Sequence, residues 1–126
     1  MQYGNVLLID DDEDDQEIFI TALAKLKRPV EYQVLDSAVE ALEKLRNRAI
    51  FPDLIFLDLN MPIMTGQQFL EEIKKEEGLR DIAVIILSTS SHSSTVQHVK
   101  SLGAKDFFSK PDKFEDLVAL LNSVIQ

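Results

Sequence analysis

Side chains that could act on a phosphoryl group stand just after four short apolar runs of this chain. A carboxylate can attack phosphorus and become an aspartyl phosphate. The transfer is favoured by groups that neutralise the phosphoryl oxygens, such as an ammonium, a hydroxyl or a metal ion. The runs are Val6–Ile9, Leu54–Leu57, Ile82–Leu87 and Phe107–Phe108, and the residues after them are Asp10, Asp11, Asp12, Asp58, Ser88 and Lys110.

Carboxylates gathered at one place need a positive partner. At an effective dielectric constant of about 20, two unit charges ~4 Å apart repel by about 4 kcal/mol, which corresponds to about three pKa units toward protonation. A divalent cation relieves this repulsion, and ligands that are all oxygen favour Mg2+, with Mn2+ as the alternative. Asp10, Asp11 and Asp58 would carry no net charge together with Mg2+ and Lys110.

The elements that must position these side chains follow from two alternating periodicities. Short apolar runs, including Tyr32–Leu35, predict five strands, and the stripes 18–26, 38–45, 69–73, 96–102 and 114–125 have helical spacing. Strands that alternate with helices form a parallel sheet with helices on both faces, so we predict a (βα)5 doubly wound α/β fold with strand order 2-1-3-4-5. The carboxyl ends of the strands would then carry the reactive side chains, with Asp58 on a central strand as the expected nucleophile.

Capping signals support the predicted helices. A hydroxyl or carboxylate that precedes Glu or Gln by three positions marks a helix start. The signals are Ser37, Thr65 and Ser94, with Asp14 and Asp112 as close analogues. Gly78 and Gly103 follow the third and fourth stripes, where we expect left-handed caps.

Composition excludes several classes of protein. The 126 residues predict a single domain, 1–126, with no output domain. The net charge of −9 disfavours nucleic acid and anionic lipid as partners. No apolar run is long enough to span a bilayer, no secretory signal is apparent, and cysteine is absent, which together predict a cytoplasmic protein.

Taken together, these residues resemble the receiver domain of two-component response regulators in its stand-alone, CheY-like form. The matching segments cover nearly the whole chain and are Val6–Asp12, Leu54–Gly66, Ile86–Thr89 and Gly103–Pro111. The resemblance implies the flavodoxin-like fold. Receiver domains are themselves known examples of the order 2-1-3-4-5, so this order is known for the family rather than derived from the pattern.

The resemblance also implies a metal site. Asp58 would be the phosphoacceptor and a direct metal ligand. Asp11 would bind the metal directly and Asp10 would act through metal-bound water. Asn60 would contribute its backbone carbonyl oxygen.

The remaining roles concern activation and switching. Lys110 would pair with the phosphoacceptor and later with the phosphoryl group, and the Ser88 hydroxyl would bond a phosphoryl oxygen in the active state. Phe107 holds the aromatic switch position but lacks the hydroxyl of tyrosine, so only its ring packing can differ between states. Thr89 is larger than the alanine or glycine common there, which would narrow access to the site. The Lys110–Pro111 peptide bond would be cis.

The acidic run after the first strand also has an explanation that involves no chemistry. Residues 13–15 open the first helix, whose N-terminus favours negative side chains, and we assign them to that role. Asp10 and Asp11 end a buried strand and are assigned to the site, whereas Asp12 is left open. A calcium-binding loop that starts at Asp10 is excluded because its sixth position is Asp15 rather than glycine.

The function that the resemblance implies is regulatory rather than enzymatic. A sensor histidine kinase or phosphotransfer protein would phosphorylate Asp58, and the face of the fourth helix, fifth strand and fifth helix would then bind a downstream protein. The domain would assist its own phosphorylation and autodephosphorylation, as a monomer or a phosphorylation-dependent dimer.

The alternative is a receiver-like binding module that is not phosphorylated. A phosphatase of the haloacid dehalogenase type is disfavoured because Asn60 stands where it needs a second acid. A flavodoxin is disfavoured because residues 10–13 would repel the flavin phosphate.

Overall fold

The computed structural model describes residues 3–89 and 92–126, which form five strands and five helices in strict alternation. The strands are β1 (Asn5–Ile9), β2 (Glu31–Leu35), β3 (Leu54–Leu57), β4 (Ala83–Ser88) and β5 (Asp106–Ser109). The helices are α1 (Glu13–Leu23), α2 (Ala38–Arg46), α3 (Gly66–Lys75), α4 (Ser93–Ser101) and α5 (Phe114–Ile125). Among the described residues, no helix is both long and apolar enough to cross a membrane.

The sheet confirms the predicted fold class. All neighbouring strands are parallel and lie in the order β2-β1-β3-β4-β5. The register pairs Ile9 with Leu57 and Leu57 with Ile86, so β1, β3 and β4 end at nearly the same level. Residues that follow these strands therefore meet at one edge of the sheet, the carboxyl edge.

Alternate residues of each strand supply two separate hydrophobic cores, because successive side chains point to opposite faces. Leu7 and Ile9 belong to the core under α2, α3 and α4, whereas Leu8 belongs to the core under α1 and α5. In the second core, Phe19 of α1 packs edge-to-face on Phe56 of β3, with ring centroids 5.2 Å apart. Both faces of the central strands are covered, which explains their uninterrupted apolar sequences.

Two predicted apolar residues lie at the surface instead. Ile18 of α1 is 47% exposed and Phe114, the first residue of α5, is 38% exposed. Each lies at the margin of the apolar stripe of its helix, next to solvent. Helical spacing alone does not distinguish such a marginal position from a buried one.

Two of the predicted helix caps are confirmed. The Ser37 hydroxyl accepts the N–H of Glu40, and Thr65 and Gln68 form a reciprocal capping box at α3. Such caps satisfy backbone N–H groups that the helix itself leaves without partners.

The other predicted helix starts are wrong by one or two residues. Helix α1 is capped by Asp12 rather than Asp14, and the Asp12 carboxylate accepts the N–H of Asp15. Helix α5 has Lys113 at its N-cap, one residue after Asp112. Helix α4 has His92 at its N-cap rather than Ser94 and has no side-chain cap. Several polar residues precede each of these helices, so the sequence offers more than one candidate cap.

The predicted left-handed glycine is confirmed after α4 but not after α3. Gly103 has φ 109°, whereas Gly78 lies three residues beyond the end of α3 and does not have a positive φ. Positive φ occurs instead at Arg48 (57°), shortly after α2, and at Ile63 (67°) in the β3–α3 loop. The N–H of Met64 donates to the carbonyl of Pro62 across Ile63 at 2.8 Å, which closes a three-residue turn.

Candidate metal and phosphoryl site

The backbone fixes two acids at the carboxyl edge by extending the strand ladders past the last strand residues. The N–H of Asp10 donates to the carbonyl of Leu35 at 3.1 Å, and the N–H of Asp58 donates to the carbonyl of Ile9 at 3.0 Å. Each acid is thus held by the strand beside its own. The two carboxylates project from a rigid part of the fold, as a reactive site requires.

Asp10, Asp11 and Asp58 come together there as predicted. Each offers a carboxylate oxygen, and the three oxygens lie within 4.8 Å of one another. Asp10 and Asp58 are buried, with 2% and 6% of their surface exposed, while Asp11 is open to solvent. The donor set is entirely oxygen and carries an excess of negative charge, so it fits a divalent cation that enters from the side of Asp11.

Burial makes these carboxylates costly to ionise. Loss of solvation raises the pKa of Asp58 from 3.8 to about 6, and the charges on Asp10 and Asp11 add to this rise. Lys110 and the N–H of Asn60, which donates to the Asp58 carboxylate, oppose it. Burial likewise raises the pKa of Asp10. A cation in the cluster would reverse both shifts, because it stabilises the ionised carboxylates.

Lys110 is the cation that the fold itself supplies. Its Nζ lies 2.7 Å from Oδ2 of Asp15, 2.9 Å from Oδ2 of Asp10 and 3.8 Å from Oδ1 of Asp58. Burial alone lowers the pKa of Lys110, but its hydrogen bonds to Asp15 and Asp10 outweigh burial and hold the pKa above its ordinary value. Lys110 is therefore charged, and its contact with Asp58 is longer than a hydrogen bond.

The strand ladder also positions Lys110. Its N–H donates to the carbonyl of Ser88 at 2.8 Å, continuing the β4–β5 pairing that sets Ser88 beside Ser109. The expected cis bond is wrong, because the Lys110–Pro111 peptide is trans. The trans form is the lower in free energy for most bonds that precede proline, and a proline alone does not identify the exception.

The loop after β3 packs tightly against the phosphoacceptor candidate. A Cβ atom added to Gly66 would lie 2.3 Å from the carbonyl oxygen of Asp58 and 2.8 Å from Cα of Leu59. The N–H of Gly66 donates to the carbonyl of Leu59 at 3.1 Å. Only glycine fits this approach, which closes the loop that carries Asn60.

Ser88 and Phe107 lie on adjacent strands close to this edge. Ser88 is the last residue of β4 and is fully buried, whereas Thr89 beside it is exposed. Phe107 pairs in register with Ile86 on β4 and is half-buried against the core on the α4 side. Ser88 therefore lies beside β5, the strand that carries Phe107.

Asp15 is a site residue that the sequence analysis assigned only to the helix N-terminus. It makes the shortest of the Lys110 ion pairs. Its neighbour Gln16 donates from Nε2 to the carbonyl of Asp10 at 2.6 Å. A signal was available, because Asp15 precedes the core residue Phe19 by four positions and so lies on the inward face of α1.

Comparisons with known proteins give a consistent result. A model of the response regulator receiver domain matches residues 6–122. The two-component response regulator ARR5 of Arabidopsis thaliana is 33% identical over 97% of this chain and 71% of its own length. The structure of the phosphorylated cyanobacterial phytochrome response regulator RcpA superposes with a TM-score of 0.88 at 30% identity, covering 97% of this chain and 91% of that one. The Mn2+-bound response regulator Rcp1 gives 0.86 at 26% identity, covering 96% and 91%.

Proposed function

The chain belongs to the response regulator receiver domain family, and from this premise we propose that it is a phosphorylation-controlled switch whose phosphoacceptor is Asp58. One observation carries the assignment. Asp58 is a buried carboxylate that lies within reach of two further carboxylates and of the Lys110 ammonium. A cation bound beside these carboxylates would offset the repulsion among them, and Asp58 would then accept a phosphoryl group at a fixed position.

In this proposal a carboxylate oxygen of Asp58 attacks phosphorus. The bond between phosphorus and the leaving atom of the donor breaks, and the donor departs with the electron pair. The aspartyl phosphate gains about one negative charge over the carboxylate. Lys110 neutralises one phosphoryl oxygen and the Ser88 hydroxyl donates a hydrogen bond to another, which are roles that positioning and electrostatics suffice to fill.

We propose Mg2+ as the metal, with Mn2+ as a substitute. Asp11 and Asp58 would bind it directly, Asp10 through water and Asn60 through its backbone carbonyl. When bound, the ion supplies positive charge that stabilises the transferring phosphoryl oxygens. The oxygen-only donor set supports a hard divalent cation, and the similar structure of Rcp1 holds Mn2+.

The response is proposed to pass through Ser88 and Phe107. As the Ser88 hydroxyl moves toward the new oxygen, the Phe107 ring on the adjacent strand repacks against the core beneath α4. The altered face, formed by α4, β5 and α5, then binds a downstream protein. The half-buried position of the ring supports this role, since a fully enclosed ring would have no alternative packing to adopt.

The proposal extends to partners. A sensor histidine kinase or a phosphotransfer protein supplies the phosphoryl group, and residues 1–126 act as one receiver unit in the cytoplasm, monomeric or dimerising on phosphorylation. The unit also catalyses its own dephosphorylation, which resets the switch. The match of the family model to residues 6–122 and the absence of cysteine support this picture.

The test is covalent labelling. The protein is incubated with acetyl phosphate, with and without Mg2+, and its intact mass is measured. Wild type should gain one phosphoryl group only with the metal, and Asp58→Asn should gain none. Asp36→Asn is the matched control, because Asp36 is exposed and follows β2 at the same edge of the sheet.

Either of two results would overturn the assignment. An adduct that persists in Asp58→Asn means that another residue is the acceptor. Wild type that remains unmodified while folded and metal-loaded favours the alternative of a binding module that is not phosphorylated.

A further inference from the structure

The Lys110 ammonium is shared unequally among three carboxylates. It donates hydrogen bonds to Asp15 at 2.7 Å and to Asp10 at 2.9 Å, whereas the Asp58 oxygen lies 3.8 Å away. An ammonium has three N–H donors. Two of them are therefore engaged by acids other than the phosphoacceptor.

The backbones that carry this arrangement are fixed. The N–H of Asp15 is held by the Asp12 carboxylate at 3.1 Å, and Phe19, one turn later, is buried in the core. The N–H of Lys110 is held by the carbonyl of Ser88. What remains free to move is the ammonium at the end of its four-carbon side chain.

A phosphoryl group on Asp58 would compete for this ammonium. The group brings additional anionic oxygens to Asp58, whose nearest carboxylate oxygen now lies 3.8 Å from Nζ of Lys110. To hydrogen-bond one of them, Lys110 must shift toward Asp58 and away from α1. Its bond to Asp15, which lies at the outer side of the cluster, is the one that this movement lengthens.

We propose that Asp15 is a positioning residue that draws the Lys110 ammonium away from Asp58 until an anion on Asp58 competes for it. The proposal rests on the function proposed above and adds a residue that opposes the phosphorylated state. The two partners differ in exposure: the side chain of Asp10 is 3% exposed and that of Asp15 is 37% exposed. Water can replace Lys110 at Asp15 more readily than at Asp10, so the Asp15 bond is the one that yields.

The alternative is that Asp15 serves only the α1 dipole, as its neighbours do. Asp14 provides the matched control because it stands in the same first turn, is exposed, and is not among the ion-pair partners of Lys110 in the described part of the chain. Asp14→Asn and Asp15→Asn remove the same charge from the same helix end. Only the second removes the hold on Lys110.

The first measurement is the dissociation constant for beryllofluoride, a phosphoryl analogue, by calorimetry in saturating Mg2+. We expect Asp15→Asn to bind about fivefold more tightly than wild type, because a partly exposed ion pair no longer competes. Asp14→Asn should differ from wild type by less than about twofold. Equal affinities of the two variants would overturn the proposal.

The second measurement locates the ammonium, so that a general effect of charge is separated from positioning. In a crystal structure of Asp15→Asn without beryllofluoride, Lys110 Nζ should lie within about 3.2 Å of an Asp58 oxygen. If Nζ remains at its wild-type distance, the proposal fails even where the affinity rises. Similar melting temperatures of the two variants would show that both are folded.

Failure of this inference is distinct from failure of the proposed function. Wild type that acetyl phosphate does not label on Asp58 contradicts the function itself. Wild type that is labelled, together with an Asp15→Asn variant that behaves like Asp14→Asn, contradicts only the role of Asp15.

Discussion

Two aspartates at opposite ends of β3 show how environment separates a structural acid from the proposed phosphoacceptor. Asp53, just before the strand, accepts the N–H groups of Gly4 and Asn5 at 3.0 and 3.1 Å and is exposed. Asp58, just after the strand, is buried beside two other carboxylates, and its nearest cation is 3.8 Å away. The same residue type thus binds backbone N–H groups at one edge of the sheet, whereas at the other edge its charge is only partly compensated.

The contrast between Asp53 and Asp58 shows where the fold loses stability. Asp53 satisfies backbone donors and so contributes to folding. The pKa of Asp58 is raised to about 6, chiefly by burial, so at neutral pH the folded protein holds a carboxylate that would be better solvated in the unfolded chain. Such conflicts persist where a site needs them for binding or catalysis.

The largest expected effect breaks the packing around Asp58. Gly66→Ala places a Cβ 2.3 Å from the Asp58 carbonyl oxygen, so the β3–α3 loop must shift. We expect a loss of about 3 kcal/mol in the free energy of unfolding, measured by urea denaturation. Gly78→Ala is the control, since its nearest neighbour is a flexible Arg48 side chain at 3.6 Å, and it should be neutral or slightly stabilising. Equal losses in both variants would contradict the structure of this loop.

Neutralising the two aspartates should have opposite effects on stability. Without divalent metal at about pH 7.5, Asp58→Asn should raise the free energy of unfolding by about 2 kcal/mol, because it removes a buried charge whose pKa is shifted upward. Asp53→Asn should lower it by about 1 kcal/mol, because it weakens two hydrogen bonds to backbone N–H groups. Urea denaturation of both variants measures the pair, and effects of the same sign would refute the comparison.

The effect at Asp58 should also depend on pH. Its folded-state pKa of about 6 lies above the ordinary aspartate pKa of 3.8, which applies to the unfolded chain. Between these two pKa values the folded state therefore binds the proton more tightly than the unfolded state does. The contribution of protonated Asp58 to the free energy of unfolding is therefore complete below pH 3.8 and is lost as the pH rises through about 6. The advantage of Asp58→Asn over wild type should shrink by about 1.5 kcal/mol between about pH 7.5 and pH 5. A constant advantage across this range would mean that the pKa of Asp58 is not raised.

Most of the fold and the strand-end residues of the site could be predicted from the sequence. Buried parallel strands have continuous apolar runs, and a polar residue such as Asp10 or Asp58 marks where each run ends. Parallel topology places these ends at one edge of the sheet, and the strand order known for the family sets β1 beside β3, so Asp10, Asp11 and Asp58 were expected to cluster. The roles given to these residues remain predictions for the experiments above.

Other details depend on side-chain geometry that the pattern does not contain. Asp12, Asp14 and Asp15 have the same side chain; their spacing from Phe19 places Asp15 on the inward face of α1, but its ion pair with Lys110 appears only in the structure. Likewise, Gly78 after α3 does not have the predicted positive φ, whereas Arg48 after α2 does. Helix ends are decided by competition among nearby polar groups, so sequence reasoning misplaces them most often.

The smallest effect separates the two aspartates by metal binding. At a Mg2+ concentration of about three times the dissociation constant, a ligand that binds only the folded state adds about 0.8 kcal/mol to the free energy of unfolding. Wild type and Asp53→Asn should both show this gain, since Asp53 lies at the opposite end of β3 from the acidic cluster. Asp58→Asn should lose most of it, because a neutral amide replaces one of the three carboxylates of the cluster. Urea denaturation with Mg2+, compared with K+ at the same ionic strength, removes the contribution of general screening. If Asp58→Asn gains as much from Mg2+ as wild type does, the ion binds elsewhere, and the raised pKa of Asp58 must then be explained without a metal.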